Sequence, residues 1–308
     1  MTDTSTFSIW LALGSVYLIW GSTYLAIRVL DLHRMPPLLT AGARFILAGA
    51  IMFVVARLKR GSDEDRISLV HWRSALIVGA ALLLGGNGLV VFAEQRVPSG
   101  VAALMIAAIP LWFAIFSWLF YRERLTPISI AGLALGIGGL VLLTDPFSSK
   151  GGIDHLGALA LVIAPMSWAA GSLYSKRARL PRRPLLASAM QMFAGGCCLA
   201  VAGVVTGELT RLNPIDQPSW VAWTYLVLVG SLVGFTSYMW VLKNARTSLV
   251  STYAYVNPIV AVLLGAWFLD ERLSVRSIVG ASVIVLGVAA IVSSAPQPTV
   301  GEEAPGPG

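Results

Sequence analysis

The stretch YRERLT at residues 121–126 has a second version in the chain, LDERLS at residues 269–274. Glu123 and Glu271 lie 148 residues apart, and long apolar segments flank both Glu-Arg-Leu cores. A charged turn between two apolar helices explains a Glu or an Arg at either place, but not a constant offset of the flanking residues. The recurrence therefore indicates an internal repeat.

The composition of the chain indicates a membrane protein. Of 308 residues, 56% are hydrophobic and 12% are charged, and soluble domains carry roughly 25% charged residues. Mean hydropathy is +0.77. Apolar runs of about 20 residues, long enough to cross a hydrocarbon core of roughly 30 Å, fill most of the sequence. A lipid bilayer is therefore the expected environment.

The apolar runs predict an all-α membrane protein with ten transmembrane helices. The predicted spans are residues 8–28, 36–57, 73–93, 97–120, 126–144, 154–175, 184–206, 219–242, 247–270 and 274–293. The N-terminal segment has no basic region and no small-residue cleavage site, so we expect span 1 to be retained rather than removed as a signal peptide. Residues 294–308 are rich in Pro and Gly and predict a disordered tail.

Displacing the chain by 148 residues aligns matching residues in its two halves. The pairs include Trp20 with Trp168, Pro110 with Pro258, Phe120 with Phe268, Gly132 with Gly280 and Gly139 with Gly287. The repeat unit covers five spans, which predicts one five-helix repeat at 8–144 and another at 154–293. Because five is odd, the second repeat enters the membrane from the opposite side. Inverted repeats around a midplane site are typical of secondary transporters.

The Lys and Arg residues of the loops predict the orientation. With the N-terminus inside, fourteen of them lie in cytoplasmic loops and seven in outer loops. This excess places both termini in the cytoplasm. The 121–126 turn is then cytoplasmic and the 269–274 turn faces outward, so one duplicated loop serves opposite faces. The net charge of +7 accordingly indicates orientation rather than a nucleic-acid partner.

Several segments together resemble a known family. They are IWGSTY at 19–24, AGARFILAG at 41–49, GNGLVVFAEQRVPSG at 86–100, STYAYVNP at 251–258 and the two ERL turns. From about residue 8 to 293 the chain resembles the EamA-type transporters of the drug/metabolite transporter superfamily, and among them the YedA-like inner-membrane proteins. The resemblance implies ten helices, two EamA repeats and export of small molecules by alternating access. It implies no substrate, because relatives handle amino acids, sugars, nucleotide sugars and drugs.

Two tryptophans lie near the middle of predicted spans, although Trp is typical of the membrane interfaces. Trp20 is in span 1 and Trp168 occupies the equivalent place in span 6. They either line a cavity, or fill space between helices and donate their indole N–H groups to backbone carbonyls. The equivalent placement in both repeats favours the cavity.

Polar residues inside the spans extend this candidate site for a small-molecule substrate. Tyr253 and Asn257 are four residues apart and therefore share one face of span 9. The full set of cavity candidates is Trp20, Tyr24, Asn87, Trp168, Tyr253 and Asn257. Each polar member is equally interpretable as a hydrogen bond between helices.

Prolines interrupt two spans at equivalent positions. Pro110 and Pro258 lie midway along spans 4 and 9, where each lacks an N–H and clashes with the carbonyl four residues earlier, at Ile106 and Ala254. Both helices are expected to kink or open there. A hinge or a cavity wall is one interpretation, and plain helix curvature is the other.

Arg44 is the one charge well inside a predicted span, roughly 12 Å from the outer end of span 2 at 1.5 Å per residue. An intramembrane charge costs a few kcal/mol and by default marks a functional site with a partner. Glu94, at the outer end of span 3, is the acid within reach, so we predict an ion pair that locks an outward gate or couples to protons. In the alternatives, Arg44 extends to the headgroups, or turns to the pocket and favours an anionic substrate group.

An enzyme is not expected, because the spans lack reactive groups. His33, His71 and His155 lie in loops or at span ends, and the adjacent Cys197 and Cys198 point in different directions on one helix. No cofactor or metal is predicted. A secondary transporter remains, with proton coupling left open. A helical channel or an uncoupled facilitator for a small polar solute is the alternative, and monomer and homodimer are both compatible with the sequence.

Overall fold

The computed structural model describes residues 6–58, 67–97, 102, 105–121, 127–144, 154–212, 214–245, 247–268 and 275–293. These residues form helices and connecting turns, and no β-strand occurs among them. The predicted all-α class is therefore confirmed. Both Glu-Arg-Leu turns and the tail at 294–308 lie outside the described residues.

The long described helices follow the order of the predicted spans, and two short ones, Glu208–Arg211 and Thr247–Val250, lie between them. The long helices are α1 (Thr6–Leu32), α2 (Pro37–Leu58), α3 (Leu69–Glu94), α4 (Ile109–Tyr121), α5 (Pro127–Thr144), α6 (His155–Arg177), α7 (Pro184–Val205), α8 (Gln217–Asn244), α9 (Tyr253–Phe268) and α10 (Val275–Ser293). Among the described residues, six helices are long and apolar enough to cross a membrane, namely α1, α2, α3, α6, α7 and α8. The count of ten spans stays a prediction. We name the end of the bundle where α1 begins the inner end, and the end where α1 finishes the outer end.

Helix packing repeats itself when the two halves are exchanged. α2 packs on α7 and α5 packs on α10, so each of these helices contacts the one five places later in the chain. α1 packs on α8 and α9, and correspondingly α6 packs on α3 and α4. The central helices of one half are thus inserted among those of the other.

Glycines bring α2 and α7 into backbone contact. A Cβ at Gly49 would lie 2.6 Å from the backbone nitrogen of Phe193, and a Cβ at Gly196 would lie 2.7 Å from that of Ile46. Helices in membranes associate closely through such small residues, because apolar burial alone gives no preference for protein over lipid. The Ala48-Gly49 and Gly195-Gly196 dipeptides of the two halves therefore lie in one tight interface.

α3 and α8 each contain a π-helical segment. The segments are Ala80–Gly88 and Leu226–Phe235, and the 148-residue offset places the first on residues 228–236 of the second half. π-Helices are rare and recur at functional sites, because they break the regular hydrogen-bond ladder. Both segments adjoin the centre of the bundle, and no pattern in the sequence predicted them.

The two intramembrane prolines differ in their effect. Before Pro110 the chain leaves the helix at Ala107–Ala108, and α4 begins at Ile109, so the predicted opening occurs. At Pro258 the helix does not open, because α9 runs from Tyr253 to Phe268 without interruption and the break lies earlier, at 251–252. A kink at Pro258 stays a prediction. The hinge role of both prolines stays a prediction.

Glu208 ties the end of α7 to the start of α2. Its buried carboxylate accepts hydrogen bonds from the backbone N–H groups of Leu38 at 3.2 Å and Leu39 at 2.8 Å. A carboxylate satisfies N-terminal donors and the positive end of the helix dipole. We expect Glu208→Ala to lower the free energy of unfolding by about 1–2 kcal/mol, measured as a lower melting temperature in detergent.

Glu208→Gln is the matched variant, because it keeps one of the two acceptor oxygens and loses the charge and the other acceptor. It should melt between the wild type and Glu208→Ala. An unchanged melting temperature in Glu208→Ala would contradict the capping role.

Candidate substrate site

A central cavity of about 70 Å³ lies between the two halves of the bundle. Its wall includes all six residues predicted to face a pocket, Trp20, Tyr24, Asn87, Trp168, Tyr253 and Asn257, together with Arg44. Sites for small molecules usually enclose about 300–1,000 Å³. The space here suits a few water molecules, so the cavity is contracted relative to one that would hold a small-molecule substrate.

Four aromatic side chains, which we name the aromatic cluster, stack against one another beside the cavity. They are Trp20, Trp168, Tyr238 and Tyr253. The Trp20 ring lies edge-on to Trp168 and Tyr253, with centroid distances of 5.3 and 5.4 Å, and 4.8 Å from Tyr238. Edge-to-face pairs at such distances contribute about 0.5–1.5 kcal/mol each beyond their burial. The cluster is therefore a stable closure rather than a loose lining.

Hydrogen bonds fix the cluster to the surrounding helices. Trp168 Nε1 donates to the Tyr238 hydroxyl at 3.0 Å, and that hydroxyl also lies 2.7 Å from Ser172 Oγ. Trp20 Nε1 donates to the Gly230 carbonyl at 3.3 Å. Both tryptophans thus border the cavity, and Trp20 donates to a backbone carbonyl as the second interpretation expects, whereas Trp168 donates to a side-chain hydroxyl. Because Ser172 and Tyr238 lie in the inner halves of α6 and α8, the cluster closes the inner side.

The two asparagines of the cavity have different surroundings. Asn87 Oδ1 is buried and accepts no hydrogen bond from the described residues, so it remains available to a donor in the cavity. The Asn257 amide nitrogen, oriented to donate, lies 3.1 Å from the carbonyl oxygens of Tyr253 and Tyr17. Asn257 therefore joins α9 to α1 by a hydrogen bond between helices, which is the second interpretation given for the polar residues.

Arg44 turns to the cavity rather than to Glu94. Its Nε donates to Ser231 Oγ at 2.7 Å, and its guanidinium carbon lies 4.5 Å from the centroid of the Phe45 ring. The ion pairs among the described residues do not include one between Arg44 and Glu94. The predicted pair is therefore not formed in this conformation, and the guanidinium instead bonds to Ser231 of α8.

Glu94 ends α3 outside the central cavity, and its side chain is fully buried. Arg28 Nη1 donates to the Glu94 carbonyl oxygen at 3.0 Å and to Asp31 Oδ2 at 2.7 Å. A buried acid near the outer end suits a coupling role, which stays a prediction.

A smaller outer cavity of about 30 Å³ continues from Arg44 toward the outer end. Arg44 and Ile27 border both cavities, and Met35 and Pro37 line the outer one. The guanidinium thus lies between the central cavity and the outer side of the bundle.

Partly exposed polar contacts connect elements at the outer end, outside the spans. His33 Nδ1 contacts the Asp216 carboxylate, and Arg96 Nε lies 3.6 Å from Asp154 Oδ1. The hydrogen bond from Ser219, followed by the contact with His33, lowers the pKa of Asp216 from its usual value. These contacts link the α1–α2 turn to the start of α8 and the end of α3 to the start of α6.

Another cavity, of about 400 Å³, lies near the inner ends of α6, α7 and α8. Lys176, Arg182 and Lys243 border it, and none of the predicted site residues does. The central cavity is the better candidate, because it contains the predicted set and draws on helices of both halves.

Sequence reasoning missed two residues of the site. Tyr238 holds Trp168 and Ser172, and Ser231 holds Arg44. Both belong to α8, and the 148-residue offset places them on Val90 and Leu83, which carry no polar group. Symmetry between the repeats therefore gave no signal for either.

Comparison with known proteins decides the family. The profile of the EamA-like transporter family matches residues 6–145 and again residues 155–293. The chain belongs to the EamA-like transporter family. It is 38% identical to "Uncharacterized inner membrane transporter YedA" of Escherichia coli K12 over 279 residues, covering 90% of this chain and 88% of that protein. This EamA-like protein is therefore a multi-pass inner-membrane transporter and not an enzyme.

Further similarities agree with this assignment. The EamA-like chain is 27% identical to the "Probable amino-acid metabolite efflux pump" of E. coli K12, covering 89% of this chain and 91% of that protein. A solved crystal structure matches it with a TM-score of 0.66 at 24% identity, over 93% of this chain and 96% of that one. The latter similarity supports the fold alone.

Proposed function

We propose that the protein exports a small metabolite across the inner membrane by alternating access at the central cavity. The observation that carries the proposal is the contracted cavity, closed on the inner side by the aromatic cluster and bordered on the outer side by Arg44. A carrier passes through such a state between its two open forms, whereas an open channel requires a continuous path. The helical channel is therefore the less favoured alternative.

Alternating access also requires two arrangements of related halves, and several features support them. The family profile matches twice, the helix contacts repeat when the halves are exchanged, and both halves place a π-helical segment at the centre. π-Helical segments and interrupted helices are sites where helices bend. Two inverted five-helix repeats, with both termini in the cytoplasm, are part of this proposal.

The substrate is expected among amino acids and their metabolites, because one relative is named as an efflux pump for such compounds. Cells that overexpress the chain should tolerate toxic amino-acid analogues better than control cells. Each compound identified in this way is then tested in proteoliposomes. Saturable flux that is accelerated by unlabelled substrate on the opposite side indicates a carrier, and non-saturating flux without exchange indicates a channel.

Glu94 is proposed as the proton-coupling group, because a buried acid in a membrane protein is typical of proton relays. We expect Glu94→Gln to keep the shape of the side chain while it abolishes titration. Accumulation driven by a pH gradient should fall by roughly tenfold or more, which corresponds to about 1.4 kcal/mol of lost driving force. Substrate exchange without a gradient should continue at a similar rate.

The control for this prediction is Asp154→Asn, which removes a half-exposed acid at the same end of the bundle. It should leave gradient-driven accumulation unchanged. Wild-type flux that does not respond to a pH gradient would instead establish the uncoupled facilitator.

A further inference from the structure

Arg44 presents most of its hydrogen-bonding capacity to the cavities. A guanidinium carries five N–H donors, and the described structure uses the one on Nε, which donates to Ser231. The two Nη groups donate to no described residue. The side chain is nevertheless only 4% exposed and borders both cavities.

The positive charge of Arg44 also lacks a carboxylate partner in the described part of the chain. Asp31, the acid that lines the outer cavity, pairs with Arg28 at 2.7 Å. The contact with the Phe45 ring compensates part of the burial, because an aromatic face attracts a cation. A buried charge is expensive unless it is paired, so the cavity is built to receive a negative group.

The rest of the cavity wall indicates what kind of molecule carries that negative group. Most of it is apolar, from side chains such as Ile27, Leu83 and Ile109. The rings of Trp20 and Trp168 border the inner side, and flat apolar groups stack well on such rings. The body of the ligand is therefore apolar and flat or compact.

We infer that the substrate carries a carboxylate on an apolar body, and that Arg44 is the residue that selects the carboxylate. The inference rests on the proposed export function, of which it names the substrate class. The two Nη groups bind the two carboxylate oxygens, since the planar guanidinium matches a carboxylate in a bidentate manner. The apolar body lies against the aromatic cluster. Entry requires the contracted cavity to expand, with Ser231 keeping the guanidinium oriented.

The test compares two probes of equal size, 3-phenylpropanoate and its neutral amide, 3-phenylpropanamide. Binding is measured on the purified full-length protein in lipid nanodiscs, with radiolabelled probe and without transport. The wild type should bind the acid at least tenfold more tightly than the amide. Arg44→Gln should weaken binding of the acid at least tenfold and change binding of the amide less than threefold.

Two further variants separate selection from folding. Arg44→Lys keeps the charge but not the paired N–H groups, so it should retain part of the preference for the acid. Arg96→Gln removes an arginine at the outer end, whose Nε lies 3.6 Å from Asp154, and should keep the full preference. If Arg44→Gln does not fold, the binding of the acid and the amide to the wild type and to Arg44→Lys still tests the inference.

A wild-type protein without preference for the acid would overturn the inference, and this includes the absence of binding by either probe at the highest soluble concentration. An unchanged preference in a folded Arg44→Gln protein would also overturn it. The export function fails in a different way, because a protein that selects the acid but shows no saturable flux in proteoliposomes binds carboxylates without exporting them.

Discussion

Replacing Gly79 with valine is expected to reduce the yield of folded protein at least tenfold. A Cβ at Gly79 would lie 2.4 Å from the Gln191 carbonyl oxygen and 2.8 Å from the Gly195 nitrogen. Both are backbone atoms of α7, so no side-chain rotation relieves the overlap and α3 must move away. Overpacking of this kind costs about 1–3 kcal/mol, and more where the backbone is rigid. A loss of about 1.4 kcal/mol already shifts an equilibrium tenfold.

The yield is measured as the monodisperse peak in fluorescence-detected size-exclusion chromatography. Gly14→Val is the matched control, because no atom outside its own helical surroundings lies within 4 Å of a Cβ at that position. The control should give a wild-type peak. An equally large peak from Gly79→Val would show that α3 and α7 are not held as closely as described.

Replacing Trp168 with alanine is expected to reduce export per folded molecule at least tenfold. The Trp168 ring packs on Trp20 and on Tyr238, with centroid distances of 5.3 and 5.4 Å, and its N–H bonds to the Tyr238 hydroxyl. Truncation of a buried Trp typically costs about 3–5 kcal/mol. The inner closure of the cavity then opens to solutes, and a carrier that cannot close one side loses its gradient.

Flux is normalised to the folded protein found by size-exclusion chromatography, so that reduced abundance is not counted as reduced activity. Trp168→Phe keeps an aromatic ring without the N–H and should retain intermediate flux. Trp118→Ala serves as the control, since Trp118 is 52% exposed on the outside of the bundle. Export by Trp168→Ala at the wild-type rate would contradict the role of the aromatic cluster in closing the inner side of the cavity.

The identity of the cavity residues was predictable from the sequence because a membrane restricts where polar and aromatic groups are tolerated. Trp20 and Trp168 stood out as tryptophans at the middle of spans, and Arg44 as a charge within one. The depth of each of these residues in its predicted span follows from its position in the sequence alone. That depth is equivalent in the two halves for Trp20 and Trp168, and it is unusual for a charged residue such as Arg44. The structure places all three on the same cavity.

The partners of those residues were not predictable, because partner choice depends on how helices are rotated and how closely they approach. Arg44 was expected to meet Glu94 on the neighbouring α3, but it meets Ser231, 187 residues away on α8. The exchange of contacts between the two halves brings α8 beside α2, and loop order contains no information on that exchange.

Hydropathy and span length determined the helical class, the order of the helices and the depth of each polar residue, since every backbone group in lipid must be satisfied within a helix. Tertiary structure alone decided which side of the cavity is closed. That closure depends on Tyr238, whose hydroxyl joins Trp168 and Ser172. The contacts of Tyr238 join residues 66 and 70 positions apart in the chain, so they depend on side-chain packing between distant segments and not on local sequence preference.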